Sequence, residues 1–188
     1  IFMFISIAFM YQLQNEKEIY KVDLNEALHK EFEKDLKTWE AEITEDNIIR
    51  FNAPFKMGGY EIPLVFNTIL SEFFPRYIKV LTMNEFKNEI DEIRVEGHTS
   101  YGWGGKASRK DIYLNNMNLS QQRASKVLNY CYSLENKMIA DNIQWIQTNL
   151  RANGMAFSNL LYKDKDKKIQ DYEKSRRVEF KVVTKDHF

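Results

Sequence analysis

The stretch RVEGHTSYGWGGKASRKDIYLNNMNLSQQRA, residues 94–124, decides the fold of this chain. Ile93 and Val95 alternate with charged neighbours, which predicts a β-strand that ends near Glu96. Gly97 then lets the backbone leave the sheet, and a loop rich in Gly, Ser and Lys follows. The stretch therefore predicts a strand, a polar loop and a helix in that order.

The helix in this stretch carries the first candidate for a binding site. Asn118 is a good N-cap, and Gln121 at the third helical position can reach back as in a capping box. Arg123 then lies one turn inside the predicted helix. A helix N-terminus favours anions, and a guanidinium binds a planar carboxylate through two hydrogen bonds. The sequence thus predicts a receptor for a carboxylate group.

Four ordered groups of residues carry a family resemblance. They are Glu96-Gly97-His98-Thr99, Asn116-x-x-Leu119-Ser120-x-x-Arg123-Ala124, Ala152-Asn153-Gly154-Met155 and Ser175-Arg176-Arg177-Val178-Glu179-Phe180. In type and order they resemble the signature of the OmpA/MotB-like peptidoglycan-binding domain. The resemblance runs roughly over residues 48–183, which is most of the chain.

This resemblance implies a ligand and a set of binding residues. The pocket of the family holds the diaminopimelate of the peptidoglycan stem peptide, which offers both a carboxylate and an ammonium group. The resemblance places Arg123 on the carboxylate, with Asn116 in support and Leu119 packed beneath. The peptidoglycan-binding residues predicted in this way are Thr99, Ser100, Asn116, Leu119, Arg123 and Arg176. Of the pair Arg176 and Arg177, one is expected in the pocket and the other as a surface or sheet-edge charge.

One position departs from the pattern of the family. Ser100 stands where the family usually has an Asp that complements the ammonium of the ligand, and a hydroxyl makes a weaker, neutral hydrogen bond. Asp111 is a candidate for supplying the missing charge, although its spacing does not require it. Trp103 lies in the same long loop and could stack on a sugar or be buried, and burial is the favoured interpretation.

Elsewhere the pattern of apolar residues predicts an α+β fold. Its strand and helix order is β-α-β-α-β-β, which implies a sandwich with the helices on one face of the sheet. The strands are expected at residues 48–51, 90–96, 150–152 and 178–183, and the helices at residues 64–81, 119–134 and 138–150. Pro75 should kink or split the first of these helices. Residues 162–174 alternate Lys and Asp and read as a solvated loop.

The N-terminal segment is apolar. Residues 1–11, IFMFISIAFMY, contain no charge, and as a helix they would cover about half of a ~30 Å hydrocarbon layer. We interpret residues 1–12 as the C-terminal part of a transmembrane helix. A signal-peptide core and a strand or core helix are the alternatives.

A charged segment follows the apolar one. Residues 13–45 repeat apolar side chains at steps of three and four, which predicts an amphipathic linker helix that ends near Ile43. Its apolar stripe must pack either on its own domain or on a second copy of the chain, and the pattern favours neither. Residues 46–188 form the predicted peptidoglycan-binding domain.

Composition excludes several classes of function. The chain has 27 basic and 27 acidic residues, which gives no indication of nucleic-acid binding. Cys131 is the single cysteine and falls on an apolar helical face, so it is expected to be buried. The 3 histidines are scattered, and His98 is expected to satisfy a local hydrogen bond rather than to bind a metal. No nucleophile motif or carboxylate pair stands out, so we predict no enzymatic activity, no metal and no cofactor.

Two functional classes fit this organisation. The first resembles MotB-type stator subunits, and among them most closely the MotB-like subunits of Zorya anti-phage systems, with a flagellar-type stator subunit as the alternative. That resemblance implies a single-pass protein of the bacterial inner membrane with its C-terminal domain in the periplasm, working as a homodimer within a MotA-like multi-span partner. The ion-carrying aspartate of such a motor is expected in the part of the membrane span upstream of Ile1. An ionisable group within a membrane span is costly and usually functional. The second class is a passive tether that attaches an envelope or secretion complex to the cell wall.

Overall fold

Five strands form one sheet in the computed structural model, which describes residues 2–52, 55–103, 105 and 107–185. The strands are β1 (Ala41–Ile43), β2 (Ile48–Asn52), β3 (Ile90–Gly97), β4 (Leu150–Gly154) and β5 (Arg177–Thr184). Their order across the sheet is β1-β2-β5-β3-β4. Only β3 and β4 are parallel, and the other neighbours are antiparallel.

Helices precede and separate these strands along the chain, in keeping with the predicted α+β class. They are α1 (Phe2–Leu36), α2 (Leu64–Leu81), α3 (Asn84–Lys87), α4 (Arg109–Tyr132), α5 (Lys137–Asp141), α6 (Ile143–Asn149) and α7 (Tyr172–Ser175). Helix α2 runs through Pro75 without a break, so Pro75 does not split this helix, and the alternative of a kink stays a prediction. The helix predicted at residues 138–150 is instead divided at Asn142 into α5 and α6.

The two faces of the sheet differ in chemistry because side chains alternate along each strand. Val178 and Phe180 of β5 are fully buried and belong to the hydrophobic core. Phe180 contacts the ring of Phe73 from α2 edge-on, with 4.9 Å between the centroids. Arg177 and Glu179 of the same strand alternate with these residues and are also buried. The core therefore lies on one face, and a buried polar cluster lies on the other.

Helix α1 joins the apolar N-terminal segment to the domain. Leu24, Leu28 and Phe32 are fully buried in the core of the domain, so this part of the stripe packs on its own chain. Earlier residues of the helix such as Phe9 are exposed, and Ile1 lies outside the described residues. Within the described part of the chain, no helix combines the length and the apolar character needed to cross a membrane.

The linker helix is shorter than the sequence predicted. Helix α1 ends at Leu36, and residues 41–43 form the edge strand β1 rather than another helical turn. Glu40 adopts a left-handed conformation with φ 51°, which ends the turn between helix and strand. Trp39 is buried against the domain from this turn. Trp39 fits the spacing of the predicted helical repeat, but it lies in a turn and not in the helix.

Helix α4 begins much earlier than predicted. Its N-cap is Ser108, whose hydroxyl accepts a hydrogen bond from the Asp111 amide, while the Asp111 carboxylate accepts one from the Ser108 amide. The predicted N-cap at Asn118 is therefore wrong, because Asn118 lies inside the helix. Asp111 belongs to this cap and is not among the residues around the cavity that contains Ser100. Arg123 stands near the middle of α4, and the anion-attracting helix start proposed beside it is absent from that position.

Candidate functional site

Two glycines bring helix α4 directly onto the sheet. Gly97 and Gly154 are paired in register at the ends of β3 and β4. A Cβ atom at Gly97 would lie 2.2 Å from the backbone oxygen of Ser120, and one at Gly154 would lie 2.7 Å from the backbone nitrogen of Gln121. Only glycine allows this approach, which fixes the height of α4 above the sheet.

Side chains of α4 reinforce this contact. Gln121 accepts a hydrogen bond from the Gly154 amide at 2.7 Å and donates one to the Ala152 carbonyl at 3.2 Å. Ser120 accepts a hydrogen bond from the amide of Ala156 at 2.9 Å. The capping role predicted for Gln121 is therefore wrong, because the side chain holds β4 instead. These bonds connect the Ala152-Asn153-Gly154-Met155 group to the motif on α4.

A pocket of about 300 Å³ opens beside α4. All six predicted binding residues line it, although they come from three separate parts of the chain: the loop after β3, α4 and the approach to β5. These residues are Thr99, Ser100, Asn116, Leu119, Arg123 and Arg176. The structure thus brings the predicted residues together, and their role in binding stays a prediction.

Arg123 forms the floor of the pocket and is only 1% exposed. Its Nε donates to the carbonyl of Gly59 at 2.9 Å, and its Nη2 donates to the carbonyl of Lys56 at 3.2 Å. A longer contact of 3.5 Å joins Nη1 to the His98 carbonyl. The guanidinium also lies over the ring of Phe55, 5.1 Å from its centroid. These contacts hold the loop that carries Lys56 and Gly59 against α4.

The charge of Arg123 is not neutralised by the protein. Among the residues that the structure describes, no carboxylate lies within ion-pair distance of its guanidinium, and every hydrogen bond goes to a neutral carbonyl. Burial lowers the pKa of Arg123 to about 10, and the positive charge of Arg176 adds to this effect. The group remains protonated at neutral pH. Binding of an anion would offset the free-energy cost of burying this charge.

Three further polar groups of the pocket can be assigned. Asn116 is buried and donates to the carbonyls of Gly102 and Ile112, so it holds the loop rather than pointing freely at a ligand. Thr99 is 3% exposed, and its hydroxyl has no hydrogen-bond partner in the described part of the chain. The buried Nε of Arg176 likewise lacks a partner there. Two cations and an unpaired hydroxyl thus face one cavity.

The mouth of the pocket is aromatic. Tyr101, Trp103 and Tyr172 line it and are each between 40% and 56% exposed. The expectation that Trp103 is buried is therefore wrong. Tyr101 and Tyr172 were missed from the sequence, because nothing in their spacing connects two residues so far apart in the chain. The only available signal was that both aromatic residues stand in segments predicted to be polar loops.

A second polar cluster lies on the opposite face of the sheet. Arg177 is 2% exposed, and its Nε donates to Oε1 of Glu179 at 2.6 Å. Arg50 donates to the same oxygen at 2.7 Å. The expectation that one of the paired arginines is a surface charge is wrong, because Arg176 lines the pocket while Arg177 is buried in this ion pair.

His98 also belongs to this cluster. It is fully buried, with Nε2 3.3 Å from Glu179 Oε2 and 3.6 Å from Glu96 Oε2. These three residues are close enough together to hold a metal ion. Arg50 and Arg177 already neutralise the Glu179 carboxylate, however, and they would repel an added cation. The geometry therefore favours a structural ion pair.

Comparison with known proteins identifies the family. No model of a known protein family matches the chain. The Zorya protein ZorB of Escherichia coli is 41% identical over an alignment of 198 residues in length. The alignment covers 98% of this chain and 82% of the relative. The chain belongs to the ZorB family. This confirms the resemblance to MotB-like subunits of Zorya systems.

Solved structures support the fold assigned to this ZorB-family chain. A MotB-like protein from Desulfovibrio vulgaris superposes with a TM-score of 0.59 at 18% identity, covering 92% of this chain and 99% of that one. The cell wall anchor of the type VI secretion system from Pseudomonas aeruginosa gives a TM-score of 0.52 at 16% identity, covering 84% and 97%. The predicted α+β, MotB-like fold is confirmed. None of these proteins is named as an enzyme, in agreement with the prediction of a non-enzymatic protein.

Proposed function

We propose that this ZorB-family chain is a stator-like subunit that anchors a membrane complex to peptidoglycan. The observation that carries the proposal is the uncompensated guanidinium of Arg123 at the floor of a pocket lined by all six predicted residues. A buried cation that binds only carbonyls is costly unless a ligand neutralises it. A carboxylate of the peptidoglycan stem peptide has the charge and planar shape that a guanidinium binds best.

We also propose a finer assignment, which family membership supports. The resemblance to Zorya subunits of the MotB type implies that the chain belongs to an ion-driven membrane motor in anti-phage defence. In this assignment residues 1–12 are the end of a membrane span and residues 13–45 are a linker. We assign residues 46–188 to the periplasm and the chain to the inner membrane. A MotA-like multi-span subunit and a second copy of this chain are the proposed partners. The exposed apolar residues of the first half of α1, among them Phe9 and Ile19, are available for such contacts.

A pull-down with purified peptidoglycan tests the anchoring function. Substitution of Arg123 by Ala should reduce the bound fraction at least about tenfold, since it removes the charged hydrogen bonds to the carboxylate. Arg109→Ala is the matched control, because Arg109 is exposed at the start of the same helix and outside the pocket. It should bind as the unchanged protein does.

A second variant separates binding from folding. Arg123 also holds the loop at Lys56 and Gly59, so its loss could loosen the domain. Arg123→Lys keeps the positive charge but loses the planar, two-bond geometry, and it should bind weakly while its circular dichroism spectrum stays unchanged. Full binding by both Arg123 variants would remove the assignment of the site.

A further inference from the structure

We propose that the pocket selects a carboxylate whose neighbouring nitrogen is acylated over one that stands beside a free ammonium group. In peptidoglycan this chemistry occurs where diaminopimelate is cross-linked and where a stem ends in D-alanine. The inference rests on the proposed function and specifies which form of the stem peptide is bound.

The charge of the pocket is the first argument. Arg123 and Arg176 both line the cavity, and none of the lining residues that the structure describes is acidic. A free ammonium group beside the bound carboxylate would therefore meet two like charges and no opposite one. Because Arg123 is only 1% exposed, its part of this repulsion is weakly screened by solvent. An acylated nitrogen carries no charge and avoids the repulsion.

The hydrogen-bonding groups of the pocket are the second argument. Thr99 is 3% exposed and its hydroxyl has no partner in the described part of the chain, while Ser100 supplies a second hydroxyl beside it. A hydroxyl can accept a hydrogen bond from a neutral amide N–H. It does not offset the charge of an ammonium group as a carboxylate would. The pocket is thus equipped for an amide nitrogen.

The shape of the mouth provides room for the acyl group. Tyr101 and Trp103 stand at the opening and are 46% and 40% exposed. Their rings offer an apolar surface to the methyl or methylene carbons that accompany acylation. A cross-linked stem can therefore enter with its second peptide directed toward solvent.

The test measures binding of three synthetic stem peptides by titration calorimetry. In each peptide every carboxylate except the probed one is amidated. The first carries diaminopimelate with a free side-chain amine, the second carries the same residue with that amine acetylated, and the third ends in D-alanine after an acetylated lysine. We expect the acetylated diaminopimelate peptide to bind about tenfold more tightly than the free-amine peptide. Tightest binding by the third peptide would identify terminal D-alanine as the source of the same chemistry.

A charge substitution reverses the expected preference. Ser100→Asp places an acid among the pocket residues and should favour the free-amine peptide, because a carboxylate attracts the ammonium group. Ser133→Asp is the matched control, because it adds the same charge at an exposed residue outside the pocket, and it should keep the preference of the unchanged protein.

Equal or tighter binding of the free-amine peptide by the unchanged protein would overturn this inference. The same holds if intact peptidoglycan binds while none of the three peptides does, and in that case the anchoring function stands. If neither peptidoglycan nor peptide binds, the proposed function itself fails.

Discussion

Two buried arginines of this domain have opposite surroundings. Arg177 is 2% exposed and shares the Glu179 carboxylate with Arg50, at distances of 2.6 and 2.7 Å. Arg123 is 1% exposed, and its hydrogen bonds go only to carbonyl oxygens. Burying a charge is costly in both places, but only the first is compensated within the protein. The difference indicates that the Arg177 site holds the sheet together, whereas the Arg123 site is completed by an external anion.

The largest expected effect on the free energy of unfolding comes from a substitution at the compensated site. Glu179→Ala leaves Arg177 as a buried cation without an ion-pair partner, whereas Arg50 keeps its pair with Glu42, and it should lower the free energy of unfolding by about 3–5 kcal/mol. Urea denaturation of the purified domain measures this loss. Glu61→Ala is the control, since Glu61 is exposed and its pair with Lys126 should contribute less than about 1 kcal/mol. Similar losses in the two variants would contradict the distinction between the sites.

At the uncompensated site the effect on stability should be smaller. Arg123→Met removes hydrogen bonds to the Gly59 and Lys56 carbonyls but also relieves the cost of a buried charge, so the net loss should be about 1–2 kcal/mol. Denaturation in urea checks this value. A loss as large as that of Glu179→Ala would mean that Arg123 is a structural residue and would weaken the comparison.

The smallest effect is a difference in pH dependence. Burial raises the pKa of Glu179, but the interactions with His98 and Arg177 outweigh it and hold that pKa far below the usual range. A carboxyl group whose pKa is lowered by folding stabilises the protein above its unfolded pKa of about 4.3, and this stabilisation is lost as the pH falls. The unchanged protein should therefore lose about 2 kcal/mol from this group between pH 7 and pH 3.

The check is a pair of denaturation series at these two pH values. Glu179→Gln cannot titrate at this position and should lose correspondingly less stability over the same range. Parallel losses in the two proteins would show that Glu179 is not held as a carboxylate by its neighbours.

Much of the fold could be predicted because its signals are local. Apolar alternation identified the strands at residues 48–51, 90–96 and 178–183, each within about one or two residues of its observed end. The start of α4 was missed because two capping patterns compete in the stretch, at Ser108 and at Asn118. Both are good N-caps, and only the packing of the preceding turns shows that the helix begins at the first.

The pocket could be predicted from resemblance but not from local pattern. Its six predicted residues are separated by as many as 77 positions in the chain, from Thr99 to Arg176. Hydrophobic periodicity carries no information on which distant polar residues meet. The aromatic residues at the mouth, Tyr101 and Tyr172, show the same limit, since no motif of the sequence connects them.

The sequence by itself determined the α+β class, the order of the strands along the chain and the burial of Cys131, because these depend on local periodicity. The candidate binding residues came from the resemblance of its motifs to a known family. The tertiary structure alone decided which of two adjacent arginines faces the pocket. Consecutive side chains near a strand point in opposite directions, so Arg176 enters the cavity while Arg177 turns to Glu179 on the other face. The close contact of α4 with Gly97 and Gly154 then sets Arg123 at the floor of that cavity, where no acid of the described chain reaches it.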